Sequence, residues 1–181
     1  MVKPFVALPD ERIRQKSQEV TAYDRSLKEL VRDLIETSKV QENPPALGMA
    51  APQIGVFKKV FVAKIRNKFR PFVNPKITKV SKQQGAYLEG CFSVSGKYGS
   101  AIRPLEVDIE AQDVFGKKFT KHYKGLPARI VQHETEHLDG ILFIDHVYKQ
   151  NGKMFRVAKD KKGKEMLVEE TVDSVITSAA K

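Results

Sequence analysis

Two histidines in the last third of the chain are spaced as a metal-binding pair. The segment His133-Glu134-Thr135-Glu136-His137 follows the pattern H-E-x-x-H. Residues four apart lie about one helical turn from each other, so both imidazoles project from one face and can bind one cation beside Glu134. A solvated helix face with two ordinary histidines is the alternative interpretation.

A metal site of this kind needs a third protein ligand. Asp139, Asp145 and His146 follow the histidines, but none has the spacing of the longer metzincin pattern. Upstream, Cys91 lies in a β-like run beside Gly90, where backbone can approach a ligand closely. A lone cysteine is also often a small buried hydrophobic residue, so both interpretations of Cys91 stay open at this point.

A third segment combines small residues with one amide side chain. Residues 46–53 read Ala-Leu-Gly-Met-Ala-Ala-Pro-Gln, and Gln53 stands where backbone could approach a substrate. Taken alone, the segment is better explained by packing at a junction between a helix and a strand.

The composition excludes several classes of protein. The chain has 181 residues, 32 Lys and Arg against 22 Asp and Glu, a net charge of +10 and 41% hydrophobic residues. This predicts one soluble domain with its own core, and excludes a wholly disordered chain. A single cysteine cannot form an internal disulfide, and there is no apolar run of about 20 residues or signal peptide. We therefore expect a cytoplasmic protein in a reducing compartment.

Hydrophobic periodicity predicts the elements that must position these residues. Ser26 and Glu29 read as a capping box that opens an amphipathic helix ending near Asn43, and the prolines after it predict a loop or an edge strand. A second helix is expected from Leu126 to Asp139, with Gly140 as its stop. The predicted strands are Val60 to Ala63, Phe72 to Val73, Ile77 to Val80, Tyr87 to Val94, Leu105 to Gln112, Phe119 to Tyr123, and a strand, turn and strand within Lys153 to Val168.

Together the three segments resemble the peptide deformylase family. Its motifs are G-x-G-x-A-A-x-Q, E-G-C-x-S and H-E-x-D-H, and their counterparts in the same order here are residues 46–53, 89–93 and 133–137. The resemblance extends from Leu8 to about Asp145. It implies an α+β fold in which small antiparallel sheets pack around a central helix with the H-E-x-x-H motif. Residues 1–181 would form one catalytic domain, with a C-terminal extension from about residue 147 that contains a hairpin and a frayed or disordered tail.

The resemblance also implies an activity and a set of roles. Cys91, His133 and His137 would bind Fe²⁺, with Zn²⁺, Ni²⁺ or Co²⁺ possible in its place. Water activated there would attack the formyl carbon of an N-terminal formyl-methionine and release formate, with Glu134 as general base and then acid. The Gln53 amide and the backbone N–H of Phe92 would stabilise the developing oxyanion.

Substrate contacts and departures from the family pattern come from the same resemblance. The predicted substrate-binding residues are Leu47, Gly48, Gly90, Leu126, Arg129 and Ile130. Glu136 replaces the family's Asp, and Arg103 is its expected supporting partner. Because a guanidinium is costly in an apolar pocket, the head of Arg129 is expected to reach solvent or an acid. The remaining departures, which leave the ligands and Glu134 intact, are Ala46, Phe92, Ser95 and Tyr98.

The expected partners are formyl-methionine nascent peptides, for a monomeric protein without a membrane partner. The basic segment Lys149 to Lys164 is a candidate for ribosome association. No basic stretch is interleaved with aromatic residues in the manner of a nucleic-acid-binding platform, so no specific nucleic-acid recognition is expected. The alternatives are an inactive or altered-specificity deformylase homologue, a zinc endopeptidase of another fold, and a basic RNA-associated or ribosome-associated module.

Overall fold

Three α-helices and nine β-strands are present in residues 1–171, the part of the chain that the computed structural model describes. Among these residues no helix has both the length and the apolar character to cross a membrane. The predicted frayed or disordered tail, at Ser174 to Ala180, lies outside them. The elements are α1 (Arg25–Lys39), β1 (Gly48–Ala50), β2 (Val60–Ile65), β3 (Lys68–Val80), β4 (Gln84–Cys91), β5 (Val94–Pro104), β6 (Glu106–Gln112), β7 (Lys118–Lys124), α2 (Leu126–His137), α3 (Phe143–Lys149), β8 (Met154–Lys159) and β9 (Glu165–Glu170).

The strands form two antiparallel sheets on either side of α2. One sheet has the order β1-β2-β3-β6-β7 and the other β4-β5-β8-β9. Helix α2 contacts β1, β2, β3 and β7 of the first sheet and β5 of the second. The α+β fold with a central helix that carries the H-E-x-x-H motif is therefore confirmed, and β1 is the edge strand expected after the prolines.

The five-stranded sheet is buried on both faces where α1 and α2 cover it. Phe61 and Phe72 stack with ring centroids 4.6 Å apart in the cluster that packs on α2. Their neighbours Val62 and Val73 point the other way and pack with Leu34 of α1. This alternation follows from the period of two in a strand, and each such side chain contributes about 1.5–3 kcal/mol when fully buried.

The capping box at Ser26 and Glu29 was a wrong prediction. Asp24 is the N-cap of α1, and its Oδ1 accepts hydrogen bonds from the backbone N–H groups of Ser26 and Leu27 at 2.9 and 3.2 Å. The carboxylate lies just before the first turn and satisfies two of its free donors, so the helix begins earlier. It also ends earlier, at Lys39.

The predicted strand from Tyr87 to Val94 is two strands. It turns sharply after Cys91, which pairs with Val94 across the turn. Helix α3 and most of β5 were not predicted. The predicted strands Phe72 to Val73 and Ile77 to Val80 are parts of the single strand β3, and α2 ends at His137 rather than Asp139. As expected from the sequence, β6 pairs with β7, β8 pairs with β9, and α2 starts at Leu126. Gly140 lies two residues beyond the C-cap of α2, Leu138, with φ 72°.

Candidate metal centre and substrate cavity

The three predicted ligands converge at one point. Cys91 ends β4, while His133 and His137 lie one turn apart on α2, and the possible ligand atoms of all three lie within 4.8 Å of one another. The Cys91 Sγ is 3.2 Å from the His137 Nε2. One sulfur and two imidazole nitrogens are donors that suit zinc or iron, and three protein ligands leave one position open. The residues present therefore fit a catalytic divalent metal.

The environments of the two imidazoles differ. Burial holds the pKa of His137 well below its ordinary value, so this ring is neutral, as a metal ligand must be. Burial acts in the same direction on His133, but hydrogen bonds to Cys91 and Glu89 outweigh it and place the His133 pKa above its ordinary value. A metal must displace a proton to bind His133.

Glu89 organises the inner side of the centre. Its carboxylate accepts hydrogen bonds from His133 Nδ1 at 2.9 Å and from Arg103 Nε at 2.6 Å, and it also pairs with Arg129. Burial would raise the pKa of Glu89, but the hydrogen bonds from His133 and Arg103 outweigh burial and hold that pKa well below its ordinary value. Because Nδ1 of His133 is engaged in this way, its Nε2 is the nitrogen left for a metal.

Arg103 extends this network to Glu136. Its Nη1 donates to Glu136 Oε1 at 2.7 Å, so the structure brings the two predicted supporting residues together. Arg103 is only 1% exposed, and its charge is matched by two carboxylates. Glu89 was missed as a functional residue, although the sequence held a signal for it. It lies two residues before Cys91 in a strand, and residues at that spacing point to the same face.

The carboxyl group of Glu134 is buried against β1. Glu134 is 5% exposed, its Oε2 has no hydrogen-bond partner among the described residues, and burial raises its pKa to about 7. A Cβ at Gly48 would lie 2.5 Å from the Glu134 Oε1. A side chain at this position would therefore displace the carboxyl end of Glu134.

Gln53 and the turn after Cys91 complete the polar surroundings. The Gln53 Oε1 accepts a hydrogen bond from the Ala50 N–H at 2.8 Å, which turns its Nε2 toward the Cys91 sulfur, 3.4 Å away. The Ser93 N–H also lies 3.4 Å from that sulfur. Phe92 lies in the turn between them, with its ring stacked on Phe5. Two N–H donors thus face the sulfur of Cys91.

A cavity of about 500 Å³ opens onto these groups. Its wall includes every predicted substrate-binding residue, whereas His137, Arg103 and Glu136 lie behind it. The loop after α1 forms a further part of the lining that was not predicted. The ring of Tyr98, one of the departures from the family pattern, covers Gly90 and also lines the cavity. The predicted lining residues are Leu47, Gly48, Gly90, Leu126, Arg129 and Ile130.

Several contacts hold the Arg129 side chain in place. Its guanidinium pairs with Glu89, donates to the Gly85 and Ala101 carbonyls, and lies over the Tyr87 ring at 4.6 Å. The head therefore reaches an acid, one of the two outcomes expected from the sequence, and its charge is already matched within the protein.

The family model for polypeptide deformylase matches residues 2–153. The chain belongs to the polypeptide deformylase family. It is 37% identical over 164 residues to a peptide deformylase of Cellvibrio japonicus, a match that covers 89% of this chain and 95% of that protein.

Solved deformylase structures have the same fold. A crystal structure of a peptide deformylase from Legionella pneumophila matches with a TM-score of 0.75 and 36% identity, over 81% of this chain and 86% of that one. The Ehrlichia chaffeensis deformylase in complex with actinonin matches with a TM-score of 0.76 and 32% identity, over 83% and 92% of the two chains.

One departure from the deformylase motif has a simple structural explanation. Ala46 replaces the first glycine of the motif, and a left-handed backbone there would strain any residue with a Cβ. Ala46 is not among the residues of positive φ, and it is 4% exposed. The position therefore needs a small side chain, and alanine meets that need.

Proposed function

We propose that this chain removes the N-formyl group from the N-terminal formyl-methionine of newly made polypeptides and releases formate. Membership of the deformylase family supports the reaction class. The observation that carries the proposal is the convergence of Cys91, His133 and His137 beside the buried carboxyl of Glu134, at the wall of a cavity.

Cys91, His133 and His137 would hold a divalent metal, with Fe²⁺ as the native ion and Zn²⁺, Ni²⁺ or Co²⁺ able to replace it. Such a metal supplies Lewis-acid chemistry, because it makes water more acidic and polarises a carbonyl oxygen. Glu89 would orient His133 through its Nδ1 hydrogen bond, and Arg103 would hold Glu89 and Glu136 in place.

Glu134 would move the protons of the reaction. Its carboxylate takes a proton from water as the formyl carbon is attacked and then gives it to the leaving amine. A pKa raised to about 7 by burial suits both steps near neutral pH, because neither protonation state is then strongly disfavoured.

Gln53 and Phe92 would stabilise the negative charge that develops on the formyl oxygen. The Gln53 amide is held by the Ala50 N–H with its NH₂ group toward the site, so little reorganisation is needed when charge appears. The backbone N–H of Phe92 would be the second donor.

The cavity residues would hold the methionine side chain and the peptide that follows it. Leu47, Leu126 and Ile130 supply apolar surface, and Gly48 and Gly90 let an extended peptide lie close to the backbone of β1 and β4. Arg129 would shape the pocket through its packing, because its charge is paired with Glu89.

Residues 1–181 would form one monomeric catalytic domain, extended from about residue 147 by the segment that includes the β8–β9 hairpin. The basic residues between Lys149 and Lys164 would bring it to the ribosome. Since its substrates emerge from ribosomes, the protein would act in the cytoplasm.

The test is release of formate from formyl-Met-Ala-Ser by protein purified anaerobically, with metal content measured on the same sample. Glu134→Ala should retain metal and lose activity, while the exposed Glu110→Ala, a matched loss of one carboxylate, should behave as wild type. An inert wild-type protein that carries its metal would refute the proposal. Internal cleavage of unformylated peptides together with metal retention in Cys91→Ser would indicate a zinc endopeptidase instead.

A further inference from the structure

A second cavity, of about 700 Å³, lies where the β2–β3 hairpin, strand β7 and the first turn of α2 meet. No residue that lines it also lines the cavity at the candidate metal centre. Its volume falls in the range of small-molecule sites, which is about 300–1,000 Å³. It is therefore a separate concave surface that the proposed reaction does not use.

Three cations line this cavity without a carboxylate partner among residues 1–171: Arg66, Arg70 and Lys121. Asp113 is the one acidic residue among the described residues of the lining, and its Oδ1 accepts hydrogen bonds from two backbone N–H groups of its own turn. Lys124, which also lines the cavity, pairs with Glu106. The positive charge of the first three side chains is left for a bound anion.

Aromatic rings form the apolar part of the same wall. Phe72 is buried, while Phe119 and Tyr123 are half-buried and meet its ring edge-on at centroid distances of 5.6 and 6.2 Å. Burial raises the pKa of Tyr123, and the charge of Arg70 acts against that rise. Arg70 and Tyr123 both line the cavity, so cation and ring belong to one site.

Strand β7 places Lys121 on the apolar face of the sheet. Phe119, Lys121 and Tyr123 lie opposite Ala111, Ile109 and Val107 of β6, which are buried in the cluster that packs on α2. The strand reads Lys-Phe-Thr-Lys-His-Tyr-Lys, so basic residues flank both of its aromatic residues. Interleaving of this kind is typical of surfaces that hold a phosphate and stack a base.

The start of α2 lies on the same side of the cavity. Pro127 lines the cavity, the N-cap residue Gly125 provides no side-chain cap, and the first turn has no acidic residue. Pro127 has no N–H to donate, so this end of α2 contributes the helix dipole, which favours an anion. The dipole adds to the positive charge of Arg66, Arg70 and Lys121.

We propose that this cavity binds a phosphorylated nucleoside, with Arg66, Arg70 and Lys121 on the phosphate and the rings of Phe119 and Tyr123 against the base. The source is either a free mononucleotide or an unpaired nucleotide of an RNA chain. The site is independent of the deformylase reaction, and its occupancy is measured by binding alone.

The experiment compares two double variants of the metal-loaded protein by calorimetric titration. Arg70→Met/Lys121→Met removes two cavity cations, and Lys68→Met/Lys118→Met removes two exposed lysines of the same strands that do not line the cavity. The probes are AMP, adenosine, inorganic phosphate and a hexamer of adenylate. We expect AMP to bind the wild type more tightly than adenosine or phosphate, to weaken about tenfold or more in the cavity variant, and to change less than about twofold in the control.

Each outcome decides the proposal. Equal weakening of AMP binding in both double variants would show that only net charge attracts the anion. Phosphate binding as tight as AMP binding would show that the rings contribute nothing. Either result, or the absence of binding by both AMP and the hexamer, overturns the proposal. If the hexamer binds the wild type much more tightly than AMP does, and this difference in affinity is lost in the cavity variant, the proposal is supported and the bound nucleotide belongs to an RNA chain. If AMP and the hexamer bind with similar affinities, the proposal is supported and the ligand is a free mononucleotide. Formate release by both variants checks that they are folded.

Discussion

Replacing Gly48 by alanine tests whether the position of Glu134 controls the reaction. The new Cβ would lie 2.5 Å from the Glu134 Oε1 and 2.7 Å from its Cγ, whereas ordinary contacts begin at 3.4 Å. One group must therefore move by about 0.9 Å. The side-chain end of Glu134 yields more easily than the backbone of β1, which is paired with β2. The fold should survive and the carboxylate should be displaced.

The expected loss follows from this displacement. A misplacement of about 1 Å can cost about 100-fold in rate, so kcat/KM for formyl-Met-Ala-Ser should fall by about that factor, or about 2.7 kcal/mol of transition-state stabilisation. Metal content and thermal unfolding should stay close to those of the wild type. The assay is formate release measured on samples of equal metal content.

A double variant distinguishes displacement of the Glu134 carboxylate from a general loss of structure. Glu134→Asp shortens the side chain by one methylene and withdraws it from the new Cβ. If Gly48→Ala acts by displacing the carboxylate, the losses in kcat/KM caused by Gly48→Ala and Glu134→Asp should not multiply when combined. Full activity in Gly48→Ala, or losses that multiply, would refute the proposed close contact as the control on catalysis.

Three further predictions concern the network, the cap and the core. Glu89→Gln should weaken metal binding about 10-fold to 100-fold in a competition titration with a chelator, because it disturbs the orientation of His133. Asp24→Ala should lower the free energy of unfolding by about 1 kcal/mol in urea titrations, through loss of the α1 cap, and leave formate release unchanged. Leu34→Ala should cost about 2–5 kcal/mol in the same titrations, because Leu34 is fully buried between α1 and the five-stranded sheet.

Each of these predictions has a matched control. Glu110→Gln removes a carboxylate charge far from the ligands and should leave metal affinity unchanged. Glu29→Ala should cost less than Asp24→Ala, because Glu29 forms only an exposed pair with Arg25; the reverse order would restore the capping box expected from the sequence. Leu167→Ala, at a position 44% exposed, should cost far less than Leu34→Ala. Equal effects in a pair would contradict the corresponding argument.

The elements predicted well from sequence are those with a local signal. The spacing in α2 and the alternation in β6 each follow from the period of one element, and both agree with the structure. The capping prediction failed because several polar residues at the start of α1 compete for the same N–H groups. The sharp turn after Cys91 was missed because an apolar run gives no indication of where a strand reverses.

The candidate site likewise has parts that short motifs predict and parts that depend on tertiary contacts. The ligand types and Glu134 follow from short motifs, and the resemblance brings the three segments together. The network around Glu89 could not be predicted, because Arg103 and Arg129 reach it from other elements, 14 and 40 residues away in sequence. A buried carboxylate acquires its partners only when the two sheets and α2 are packed together.

The placement of Cys91 has a consequence for the order of assembly. The cysteine belongs to the four-stranded sheet, and the histidines lie on the helix that packs against the five-stranded sheet. In the unfolded chain His133 and His137 can meet whenever a single helical turn forms, but the sulfur joins them only after the two halves of the molecule dock. Three-ligand affinity is therefore a property of the finished tertiary structure, and a metal bound by all three residues reports that the two sheets have docked.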